Sequence, residues 1–86
     1  MEKQNVWVIR VGMHSNRETS YDVDKVFSEN NLGNALLYAE NLCKRLKKEQ
    51  HIKGSVKKED YKNVFHFLAE DLDDYVDVSV LLKEVE

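Results

Sequence analysis

The chain predicts an α+β fold: a two-layer sandwich in the order ββααβ, with a three-stranded antiparallel sheet packed on two helices. Three observations support it. Apolar residues alternate at period two near both ends of the chain, they recur at three-and-four spacing through its middle, and 86 residues suffice for one core only. The last point predicts a single domain over residues 1–86.

The first element is a strand over residues 5–13. Its residues are β-branched and aromatic, and Trp7, Ile9, Val11 and Met13 fall on one side. A polar stretch containing His14, Ser15, Asn16 and Arg17 follows, and alternation resumes through residues 21–27 with Tyr21 and Val23 assigned inward. A hairpin with a loop of about six to eight residues joins these strands economically. This assignment puts Val6, Val8, Arg10, Asp22, Asp24 and Val26 on the outer face of the sheet.

Ser28, Asn30 and Asn31 can cap a helix, and Leu32, Ala35, Leu36, Ala39, Leu42, Cys43 and Leu46 form its apolar stripe. The helix is expected over residues 32–50. Lys44, Arg45, Lys47 and Lys48 oppose the negative end of its dipole, and Gly54 marks the turn beyond it. Leu37 and Tyr38 lie off the stripe.

Residues 59–75 admit two readings. Tyr61, Phe65, Leu68, Leu72 and Tyr75 are spaced four, three, four, three, which favours a second helix with Phe67 off its inward stripe. Against the helix, Glu70, Asp71, Asp73 and Asp74 crowd its carboxyl end, where negative charge is unfavourable. The strand alternative gives the order ββαββ with a hairpin turning at Leu72 and Asp73. The last element is a strand, because Val76, Val78, Val80 and Leu82 alternate with Asp77, Ser79, Leu81 and Lys83.

Composition narrows the function classes. A single cysteine, Cys43, allows no intrachain disulfide or thiolate metal cluster, and its inward position suggests inert packing; a reducing cytoplasm fits best. No signal peptide is read at the start, and the longest apolar run, residues 35–39, is far too short to cross a bilayer. The chain is therefore expected to be cytoplasmic with no membrane partner. Frequent lysine and asparagine hint at an AT-rich genome, bacterial or phage.

His14, His51 and His66 show no ligand spacing with Cys43, and His66 reads as a structural histidine. Counted from Asp71, the acidic stretch lacks the glycine and terminal glutamate of a calcium loop. No serine sits in a nucleophile context, and three scattered glycines build no phosphate loop. The expectation is accordingly no enzyme, no catalytic residue, no metal and no cofactor.

Charge is the remaining signal. The net charge is -3, yet residues 44–58 hold seven Lys/Arg against Glu49 alone, and residues 70–86 hold seven acids against Lys83 alone. The acidic balance, at pI 5.6, and the single arginine of the basic stretch disfavour nucleic acid, which stays as an alternative through residues 44–58. The favoured reading is a small non-catalytic protein-binding module or inhibitor, using charged surface and strand edges, with a homodimer one form open to it. The candidate partner-binding residues are Asp22, Asp24, Asp71, Asp73, Asp74 and Asp77 on the acidic side. On the basic side they are Lys44, Arg45, Lys47 and Lys48. A second alternative has the acids imitate a nucleic-acid backbone in an inhibitor of a nuclease, of anti-restriction, anti-CRISPR or toxin-immunity type.

Overall fold

The computed structural model describes residues 4–15 and 18–85. Two strands, β1 (Gln4–Ser15) and β2 (Glu18–Ser28), lead through a 3₁₀ turn (Glu29–Asn31) into one helix, α1 (Leu32–Glu49). Three more strands follow: β3 (Lys57–Tyr61), β4 (Val64–Glu70) and β5 (Tyr75–Val85). All five join one antiparallel sheet in the order β2-β1-β5-β4-β3, with α1 on one face.

This corrects the three-stranded, two-helix expectation. The stretch read as a second helix, residues 59–75, takes in the end of β3, all of β4, the turns beside it and the first residue of β5, and β3 was not foreseen, so the ββαββ alternative is one strand short. The physical reason lies in position. β4 is flanked by strands on both sides, and both of its faces carry apolar residues: Phe65, Phe67 and Ala69 face α1, while Val64 and Leu68 face away. Apolar residues on both faces produce helical spacings by coincidence. Leu72, assigned to the helical stripe, is fully exposed, whereas Phe67, assigned off it, is buried.

The inward residues of β1 and β5 are those expected from alternation. Trp7, Ile9 and Val11 meet Val76, Val78 and Val80 beneath Ala35, Ala39, Leu42 and Cys43 of α1. The two alanines let the helix axis approach the sheet closely. Trp7 also donates its indole N–H to the Glu29 carbonyl at 3.0 Å, fixing the entry to the helix.

β2 departs from expectation. Gly12 pairs with Tyr21 and Val11 with Asp22, which sends Tyr21 to the open face and Asp22 to the helix side. Between Ile9 and Arg10 the register shifts: Ile9 pairs with Lys25 and Arg10 with Val23, leaving Asp24 as an extra residue. Tyr21 and Val23 are consequently exposed, at 64% and 55%, rather than inward. Gly12 makes room for the arrangement, because a Cβ there would meet the Tyr21 ring at 2.8 Å. His14, expected in a loop, belongs to β1 and stacks on Tyr75 with ring centroids 5.7 Å apart. Asn16 and Arg17 of the expected long loop lie outside the described residues.

The helix ends at Glu49. His51 takes a left-handed conformation, φ 57°, donating its N–H to the Lys48 carbonyl while Ile52 donates to the Lys47 carbonyl. Ile52 then drops into the core. No helix among the described residues is long and apolar enough to cross a membrane.

Candidate lysine groove

Lys44, Lys47, Lys48 and His51 are spaced three, one and three along α1 and its terminal turn, which brings them to one flank of the helix. Beside that flank run the loop from Ile52 to Val56 and strand β3. Together they bound an open groove of about 890 Å³, to which the loop adds Lys53 and the strand adds Lys58. The floor is apolar, made of Ile52, Val56 and Phe67. Five lysines, with Glu40 and Ser55 among them, thus surround an apolar bed.

The groove is incompletely neutralised. Lys44 pairs with Glu40 at 3.2 Å, and Lys58 with Asp60 at 3.5 Å while lying over the Phe65 ring. The ammonium groups of Lys47, Lys48 and Lys53 form no ion pair with a carboxylate among the described residues. Concentrated positive charge over a low-dielectric floor raises the local potential and attracts anions. Gly54 keeps the loop in place: a Cβ there would lie 2.0 Å from the Glu70 carbonyl oxygen, so only glycine permits this approach.

The structure therefore gathers Lys44, Lys47 and Lys48 of the basic set. Arg45 lies outside the groove lining and reaches toward Glu49, 4.0 Å away. Lys53, Lys58, His51 and the apolar floor escaped the site reading. Lys53 and Lys58 were visible as charge, but their juxtaposition with α1 depends on the unforeseen β3.

The acidic set is dispersed. Asp22 and Asp24 are on the outer strand β2, where Asp24 accepts a hydrogen bond from the Tyr38 hydroxyl. That contact holds the Tyr38 phenol proton more tightly, raising its pKa, with burial and the Asp24 charge adding to the effect. Asp71, Asp73 and Asp74 form the turn from β4 to β5. The Asp71 N–H donates to the Asp74 carbonyl at 3.0 Å, and Asp71 Oδ2 accepts from the Lys53 backbone N–H at 3.3 Å. The acidic turn is thereby fastened beside the lysine loop.

Asp77 lies on the open sheet face with Ser79 and His66. Ser79 Oγ donates to Asp77 Oδ1 at 3.2 Å, and the solvent-shielded His66 Nε2 abuts the same oxygen. The Ser79 hydroxyl is directed at the carboxylate rather than at the imidazole, so these three groups do not form a serine–histidine–aspartate relay. His66, within the stretch read as a second helix, is on β4. Cys43 is wholly buried, and desolvation, with a smaller effect of the Asp77 charge, pushes its thiol up to about 11. Among the described residues no three His, Cys, Asp or Glu side chains converge as a metal site.

Comparison with protein-family models, curated proteins and solved structures finds no match to this chain.

Proposed function

We propose that this chain is a non-catalytic binding module whose lysine groove receives an acidic segment of a partner protein. The observation that carries the reading is the pairing of an apolar floor with three lysine ammonium groups, those of Lys47, Lys48 and Lys53, that form no ion pair among the described residues. Such a site suits a segment with carboxylates at intervals and an aliphatic or aromatic side chain between them. The charges would steer association and set register, while the anchor would supply the burial.

Two features argue against a nucleic-acid ligand. The benzene ring in the lining, Phe67, is buried in the floor, which leaves the His51 imidazole as the one exposed ring of the lining for base stacking, and the groove lining contains no arginine for bidentate base contact. The nucleic-acid-mimic reading receives less support, because the acids it requires are spread over the outer strand, the β4–β5 turn and the open face.

Fluorescence anisotropy with a labelled glutamate-rich peptide bearing one central phenylalanine tests the proposal. Binding should weaken with added salt, and the combined substitution Lys47→Glu, Lys48→Glu and Lys53→Glu should reduce affinity at least about tenfold. The pair Asp73→Lys and Asp74→Lys should leave it intact. Absence of peptide binding, or tighter binding of single-stranded or duplex DNA of equal charge, would overturn the assignment.

A further inference from the structure

The sheet face opposite α1 carries an apolar stripe that crosses every strand. The register places Val26 beside Val8, Val8 beside Leu81, Leu81 beside Val64, and Val64 beside Tyr61, all on the face away from the helix. Five strands spaced by about 4.8 Å make this stripe about 19 Å wide. Val26 and Tyr61, at its two ends, are more than half exposed. A band of this width on a sheet with one uncovered face exceeds the scattered apolar residues of an ordinary surface.

We propose that the stripe is the interface with a second copy of this chain, two sheets packing face to face. The first argument is area. A monomer of 10.1 kDa should expose about 5,300 Å², and this one exposes 6162 Å². The surplus of about 900 Å² resembles the roughly 800 Å² that each partner buries in a standard interface. The molecule is elongated, 47 × 22 × 20 Å in extent, and its 18-residue helix covers one face of the sheet and leaves the other open.

The second argument is charge. By register the open face holds Arg10, Lys57 and Lys83 against Glu59, Glu70 and Asp77 among the described residues, three of each sign. A balanced face does not repel its own copy, and it gives no strongly charged partner a reason to prefer it. Leu81, on the central strand and at the middle of the stripe, would lie near the two-fold axis of such an isologous pair. The lysine grooves, on the helix side, would face outward from the dimer.

Sedimentation velocity across a micromolar-to-millimolar dilution series tests the interface. The wild-type chain should pass from monomer to dimer. Leu81→Lys should raise the dimer dissociation constant at least about tenfold, because a lysine there must enter the interface without a partner. Leu37→Lys, on the exposed face of α1, should leave it unchanged, as should Lys47→Glu with Lys48→Glu, which separates this interface from the groove. Methyl NMR shifts of the unmodified chain provide a reading that needs no substitution. On dilution they should change at Val8, Val26, Val64 and Leu81. A chain that stays monomeric to millimolar concentration, a dimer untouched by Leu81→Lys in folded protein, or shift changes confined to another face would overturn the proposal.

Discussion

His51 and Gly54, three residues apart, join the helix to the sheet by different means. His51 occupies the left-handed region at φ 57°, where a β-carbon is strained, so His51→Gly should stabilise the fold by about 0.5–1 kcal/mol. Gly54 has no such φ; what it provides is room against the Glu70 carbonyl. Gly54→Ala should destabilise by about 2 kcal/mol or more, because the obstructing atom belongs to the backbone and the strand must shift. Urea unfolding midpoints of the two variants should therefore move in opposite directions. The sequence reading ends the helix at about residue 50, within one residue of Glu49, but puts the turn at Gly54, three residues past the position whose dihedral angle turns the chain. A histidine in the left-handed position gives no compositional signal, and what reveals it is the pair of N–H groups returning to the Lys47 and Lys48 carbonyls.

Among the elements, α1, β1 and β5 were legible because each has one buried and one less buried face, so their hydrophobic period is unambiguous. β4 was not, since strands flank it on both sides and its two faces are both partly apolar. β3 was hidden for the opposite reason. All five of its residues, Lys57–Tyr61, are exposed at the sheet edge, where charged side chains guard against unwanted pairing and leave no alternation to detect. The acidic run after Leu68 was the useful warning, for it opposes a helix end and suits the turn found at Asp71–Asp74. Two substitutions distinguish strand from helix in solution. Leu72→Ser should change stability by less than about 0.5 kcal/mol, because Leu72 is fully exposed. Phe67→Ala should cost about 3–5 kcal/mol, because Phe67 is 3% exposed beneath α1. A helix with Leu72 on its buried stripe would reverse that order, and equilibrium denaturation of the two variants decides between them.

At the scale of the whole molecule, the segregated charge seen in the sequence acquires a geometry, and part of it cancels. The acidic turn sits beside the lysine loop through Lys53 and Asp71, while Lys47 and Lys48 in the groove form no ion pair among the described residues. Runs of charge could be read from the chain; which charges meet could not, because that depends on the strand order. The same assembly makes the fold sensitive to alkali. Cys43 keeps its proton up to about pH 11 in the folded core, against an ordinary value of 9.0 once the thiol is solvated. The Tyr75 hydroxyl, hydrogen-bonded to Tyr21 at 3.0 Å, and the Tyr38 hydroxyl on Asp24 are also held above their ordinary 10.0. Above about pH 9 the unfolded chain therefore releases protons that the folded chain retains. Unfolding is favoured progressively as pH rises, since a state that binds fewer protons gains on deprotonation. The stabilisation associated with the thiol is fully present below pH 9.0 and is lost as pH rises through about 11. Urea midpoints measured across that interval should fall, and Cys43→Ala should show a shallower fall than wild type while starting from a lower midpoint. A midpoint independent of pH over the same interval, or an identical slope in the alanine variant, would show that the buried thiol is not coupled to folding.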